Sequence, residues 1–139
     1  MGHVKYFFWL ASEAPSVAIL APVYAILAFA GLVIALVATV RHPELLHGKW
    51  KWLLLPFAIP IAILVYGVAF KYDGDIGTAP AWRALLIAIM FWSHVPIGLA
   101  LIFIARRNWL VPVGLSAFQM WLSLCAAFMS CMSVTNVWL

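Results

Sequence analysis

Four stretches of the chain contain no Asp, Glu, Lys or Arg: Ala14–Val40, Trp52–Phe70, Ala84–Ala105 and Asn108–Leu139, of 27, 19, 22 and 32 residues. An α-helix needs about 20 residues to cross the roughly 30 Å hydrocarbon layer of a bilayer, so each run predicts one span. Backbone amides in lipid must bond within their own segment. A β-barrel would instead show alternating segments of about ten residues. The pattern predicts an all-α integral membrane protein, a single domain with four transmembrane helices in an antiparallel bundle. Its spans fall at about 14–40, 52–70, 84–105 and 109–130.

The connections add detail. Lys5–Leu10, KYFFWL, predicts an aromatic segment at the membrane interface, where amphipathic rings settle. Ser12 is then expected to cap the first span, with Glu13 favourable at its positive end and Pro15 tolerated in its first turn. The apolar piece Tyr6–Ala11 is too short for a cleavable signal, and Tyr6 stands where a myristoylation signal wants Ser or Thr. RHPELLHGKWK, from Arg41 to Lys51, predicts one amphipathic turn opened by Pro43 and stopped by Gly48. KYDGDIGTAPAW is a turn-rich loop. Its Asp73-Gly74-Asp75 resembles the start of a calcium loop but lacks the remaining ligands. The short link ARRNW predicts a tight hairpin between spans three and four. Pro56, Pro60 and Pro96 are interior to their spans and predict kinks with freed carbonyls, whereas Pro112 falls in a first turn.

Composition agrees with the pattern. The chain is 68% hydrophobic and 9% charged, against about 45–50% and 25% in soluble domains. The formal net charge of +4 is not a nucleic-acid footprint, because the cations sit at span ends. Arg41, Lys49, Lys51, Arg106 and Arg107 occupy two links on one side. Lys5, Lys71 and Arg83 share the other side with Glu13, Asp73 and Asp75. The positive-inside rule places the basic links in the cytoplasm and both termini on the non-cytoplasmic side. Cys125 and Cys131, six apart on one helix, cannot meet disulfide geometry and read as apolar fillers.

The chemistry is sparse. At depth there is no acidic or basic residue, only His94, Gln119, Tyr24, Tyr66 and hydroxyls. Intramembrane polar groups are where function concentrates. His94 and Gln119 lie at similar depth on adjacent spans, so a direct hydrogen bond between them is expected, each neutral. Ser116, Gln119, Ser123 and Ser130 share a face of span four. His94 shares one with Phe91, Gly98 and Leu101. Gly31–Ala35 and Ser123–Ala127 are small-xxx-small packing pairs.

Two main readings of His94 follow, with a general base in a membrane enzyme as the remaining one. It is interhelical glue, bonded to Gln119 or a serine. Alternatively it is an axial ligand or hydrogen-bond donor to a haem, chlorin or quinone, with Gln119 and Gly98 shaping the pocket. A six-coordinate haem needs a second ligand at that depth, and His3, His42 and His47 all lie at span ends. His42, Glu44 and His47 lack the i, i+4 spacing of a zinc helix, and no nucleophile motif or phosphate loop occurs. The four-helix small multidrug transporters share the outline. They need an acidic residue within the first span, where this chain has only Glu13 at the entrance, so no family is identified on these motifs.

The sequence thus predicts a multi-pass protein of the cell inner membrane or another energy-transducing membrane. The expected role is a non-catalytic subunit or assembly partner of a larger membrane complex, with other membrane subunits or further copies of itself as partners. A redox or pigment-binding anchor built on His94 is the first alternative, and a small oligomeric transporter or channel along the Ser116–Gln119–Ser123 face the second.

Overall fold

The computed structural model describes residues 3–13, 22–46, 48–75 and 78–136. Among them the regular structure is helical throughout. α1 is His3–Glu13, α2 Pro22–Arg41, α3 Trp50–Leu54, α4 Ala58–Ala69, α5 Ala81–Trp92, α6 His94–Ile104 and α7 Leu110–Thr135. Short 3₁₀ turns occupy Pro43–Leu46, Leu55–Phe57 and Arg106–Asn108. Four helical stretches are long and apolar enough to cross a membrane: Pro22–Arg41, Lys51–Ala69, Ala81–Ile104 and Leu110–Thr135. The expected start of the first span, from 14 to 21, and its Pro15 lie outside the described residues. The fourth span runs beyond the expected 130, ending at Asn136 in the left-handed conformation (φ 56°).

Ser12 does not cap the first span. It belongs to the last turn of α1, and its hydroxyl donates back to the Trp9 carbonyl at 2.7 Å. The aromatic segment is thus itself helical, and α1 packs on α4 and α7.

Pro56 and Pro96 break their spans, the second with a displacement, whereas Pro60, expected to kink its span, falls in the first turn of an unbroken α4. Around Pro56 the second span tightens into the 3₁₀ turn Leu55–Phe57 between α3 and α4. In the third span the break falls at Ser93, three residues before Pro96. Pro96 has no N–H to offer the Trp92 carbonyl, and the distortion is felt one turn upstream. Ser93 closes that turn locally, its hydroxyl donating to the Met90 carbonyl at 2.6 Å.

α7 is the hub. α2, α4, α5 and α6 all pack on it, whereas α2 makes no extended contact with α5 or α6. The α2–α7 crossing is built from small residues. Ala28, Ala35 and Ala38 are buried on one stripe with Gly31 between them. A Cβ at Gly31 would lie 3.2 Å from the Gly114 carbonyl oxygen, and one at Gly114 would run into the Gly31 carbonyl. The two backbones meet directly, as the Gly31–Ala35 spacing suggested. Phe29 packs beside this crossing on Phe118 and Trp121, ring centroids 5.5 and 5.3 Å away. The expected Ser123–Ala127 pair divides: Ser123 is fully buried, Ala127 only partly.

Both ends are tied by backbone acceptors. At the basic end the Pro43–Leu46 turn packs on the Arg106–Asn108 turn. Gly48 follows with φ +74°. Lys49 donates to the Ile104 carbonyl at 3.0 Å, and the Asn108 amide to the Ala38 carbonyl at 3.4 Å. At the other end the Tyr72 amide donates to the Ser133 carbonyl at 3.0 Å and the Asn136 side chain to the Gly74 carbonyl at 2.9 Å. The Asp73 carboxylate, hydrogen-bonded to Lys71 at 2.6 Å, holds that ammonium above the ordinary lysine range. Cys125 and Cys131 are free thiols.

The crossing makes Gly114 a sensitive position. Gly114→Ala is expected to lower stability by about 1–3 kcal/mol through overpacking. Ala30→Val, on an exposed position of the same α2 helix, should change it by less than about 0.5 kcal/mol. Thermal unfolding in mild detergent measures both, and equal effects would contradict the crossing.

Candidate functional site

The polar side chains of α7 form a seam. Gln119, Ser123, Ser130 and Ser133 recur at helical spacing and are at most 1% exposed. In hydrocarbon, water cannot satisfy such groups, and each unpaired one costs several kcal/mol. Three of them donate to the backbone of the second span. The Gln119 amide reaches the Leu53 carbonyl at 3.0 Å, Ser130 the Ile63 carbonyl at 2.9 Å, and Ser133 the Gly67 carbonyl at 2.7 Å. Ser133 in turn accepts from the Tyr6 hydroxyl at 2.9 Å, joining α1 to the seam.

Local sequence explains the acceptors. Bonding in a 3₁₀ turn reaches back three residues, so over Leu55–Phe57 the Phe57 amide is directed at Leu54. The Leu53 carbonyl, one residue earlier, is left for a side-chain donor, and Gln119 supplies it. Gly67 allows the second span to lie close to α7, since a Cβ there would sit 2.5 Å from the Ser130 hydroxyl.

His94 opens α6, immediately after the Ser93 break, and is 6% exposed. Its Nδ1 is 3.1 Å from the Phe91 carbonyl and its Nε2 is 3.1 Å from the Ser123 hydroxyl. A carbonyl can only accept, so Nδ1 carries the proton, and Nε2 of the neutral ring accepts from Ser123. Both ring nitrogens are thereby engaged. A metal at Nε2 would have to displace Ser123.

The expected His94–Gln119 hydrogen bond is therefore replaced by two others, and the serine alternative for His94 is the one observed. Gln119 and Ser123 stand one turn apart on α7, which faces the second and third spans together. The longer amide reaches the open Leu53 carbonyl, leaving the histidine to the shorter hydroxyl.

Gly98 is buried one turn along from His94, and a Cβ there would still be 3.4 Å from the Ser116 hydroxyl. His94, Gly98, Leu99, Ser116 and Met120 line a shallow hollow of about 210 Å³. Gln119 does not line it. A larger groove of about 520 Å³ lies between α2 and α5, lined by Tyr24, Leu27, Phe91, Trp92 and Trp121. Ala117 and Met120 border both spaces. Among the described residues, the buried hydroxyls of Tyr66 and Ser116 and the Gln119 carbonyl oxygen have no hydrogen-bond partner.

Of the other candidates, His42 Nδ1 lies 3.5 Å from the Glu44 carboxylate, and His47 is outside the described residues. Sequence reasoning missed Ser133, Tyr6 and the carbonyl acceptors. The hydroxyl at Ser133, one turn beyond Ser130, was the available signal. The acceptors are backbone atoms that no residue type announces.

The chain matches no family model, no curated protein and no solved structure.

The pairing predicts specific energetic couplings. A double-mutant cycle between His94→Ala and Ser123→Ala should give about 0.6 kcal/mol of coupling, the average for interhelical bonds in membranes, and no more than about 1.7 kcal/mol. The cycle between His94→Ala and Gln119→Leu should give coupling near zero. Reversible unfolding in mixed micelles measures both, and a larger value for the His94–Gln119 pair would restore the sequence-based pairing.

Proposed function

We propose that this multi-pass chain is a non-catalytic integral subunit, an assembly partner within a larger membrane complex. The observation that carries the reading is the division of labour between its surfaces. Gln119, Ser123, Ser130 and Ser133 of α7 are spent on neighbouring helices, and both His94 nitrogens are engaged inside the protein. The groove of about 520 Å³ between α2 and α5, by contrast, is apolar, rich in aromatic rings and, among the described residues, uncovered. Such an apolar groove can take an apolar side-chain ridge from another transmembrane helix. On this reading the four spans form an antiparallel bundle with the Arg41–Lys51 and Arg106–Arg107 links in the cytoplasm and the termini on the other side. The eight tryptophans serve as interfacial anchors and as contact surface.

A second reading, a quinone-binding anchor, is favoured by one specific feature. The partnerless Ser116 hydroxyl lies beside the hollow formed with His94 and Gly98. A quinone carbonyl needs one such donor at depth and no ring nitrogen of His94.

Native purification in mild detergent separates the readings. The wild-type chain should travel with larger subunits. Ala117→Trp, which fills the groove from an exposed position, should travel alone with unchanged thermal stability. A wild-type chain that purifies alone from its own membrane, or a variant that still associates, would contradict the subunit reading. Organic extraction of the same preparation should yield stoichiometric quinone only under the second.

A further inference from the structure

At the basic end a third space opens between α2 and α7, about 330 Å³ in volume, lined by Val33, Ile34, Val37, Arg41, His42 and Leu110. Its walls are aliphatic and its rim is cationic. From Val33 to Arg41 the cleft runs eight residues along α2, about 12 Å at the helical rise. One leaflet of the hydrocarbon layer is about 15 Å deep, so the cleft matches the chain region of a single leaflet. The depth is that of an acyl chain, and the rim is where a headgroup would lie.

The charge around this rim is one-sided. The Pro43–Leu46 turn packs on the Arg106–Asn108 turn, which brings the two basic links together. Arg41, Lys49, Lys51, Arg106 and Arg107 gather there against the single carboxylate of Glu44, which faces His42 at 3.5 Å. Lys49 is turned inward to the Ile104 carbonyl. Among the described residues, Arg41, Arg106 and Arg107 have no acidic partner. Positive-inside topology accounts for basic residues in these links. It does not account for a cleft beneath Arg41, open to lipid and walled by Val33, Ile34 and Val37.

We propose that this cleft seats an anionic phospholipid, one acyl chain lying along Val33, Ile34, Val37 and Leu110 and the phosphate meeting Arg41. The arginines of the adjacent Arg106–Asn108 turn add to the field that holds the headgroup. Cationic pockets between spans at the headgroup level suit such lipids, each Lys or Arg near the surface contributing about 1 kcal/mol. Arginine is the residue suited to bidentate phosphate contact.

The test uses the full chain in a zwitterionic detergent, titrated with phosphatidylglycerol or with phosphatidylcholine of the same acyl chains. Native mass spectrometry reads the bound lipid. The wild-type chain should retain phosphatidylglycerol in preference to phosphatidylcholine. Arg41→Gln should weaken that retention about fivefold, the factor equivalent to one surface cation. Val37→Trp, which fills the cleft and keeps every charge, should weaken it as strongly. Arg83→Gln, at the opposite end, should leave it unchanged. Equal retention of the two lipids would overturn the proposal. Loss in Arg41→Gln with full retention in Val37→Trp would overturn it too, because the headgroup would then be held by surface charge without a seated chain. A binding loss in Arg83→Gln equal to that in Arg41→Gln would do the same, showing dependence on net charge alone. A thermal melt of each variant identifies loss through unfolding. Should Val37→Trp fail to fold, Ile34→Phe on the same wall takes its place.

Discussion

A backbone carbonyl in hydrocarbon has no water to turn to, and this constraint organises the molecule. The second span departs from regular α-helix around Pro56, and its neighbour α7 supplies side-chain donors along its length. Gln119 meets Leu53, Ser130 meets Ile63 and Ser133 meets Gly67. These bonds fix the depth and rotation of α7 against the second span. The remaining spans are then placed by reference to α7: α2 through the Gly31–Gly114 crossing, and the third span through Ser123 and His94. Individually such bonds are modest, on the order of 1 kcal/mol. Their weight lies in specificity, because a rotation of α7 would strand several polar groups in lipid together.

Much of the fold was legible in the sequence because lipid makes composition nearly decisive. Charge-free runs at or above the length of a bilayer crossing located the four candidate spans to within about five residues wherever the chain is described. Gly31 and Ala35 announced close packing, although their partner Gly114 did not stand out. The expectation that Ser12 caps the first span fails because the aromatic segment before it forms a helix, α1, that reaches Glu13. Ser12 lies in the last turn of that helix, bonded back to Trp9. The break expected at Pro96 appears at Ser93 for a reason local rules cannot resolve: a missing amide disturbs the whole preceding turn, and Ser93 has a hydroxyl to close it.

The site was legible as a depth and a face, and its pairings were not. Counting residues placed His94 and Gln119 at one level, and helical spacing gathered the serines of α7 on one side. Which donor meets which acceptor depends on where the second span exposes a carbonyl, and that follows from a 3₁₀ turn only the folded backbone reveals. A polar side chain in a membrane invites a search for a ligand. Here the first partners are other helices, and that moves attention outward. The apolar groove between α2 and α5 and the cation-rimmed cleft toward the other end of α2 both flank a helix that, among the described helices, packs extensively only on α7. A helix held by one neighbour has surface to give to a partner or to lipid.

Gln119, Ser130 and Ser133 of α7 each serve one carbonyl of the second span. Solid-state NMR of the chain in lipid, with ¹³C carbonyl labels at Leu53, Ile63 and Gly67, observes those acceptors directly. Removing a donor through Gln119→Leu, Ser130→Ala or Ser133→Ala should shift the signal of its own acceptor and leave the other two in place. Signals that ignore the loss of their donors, or that all move together whichever donor is removed, would contradict the account.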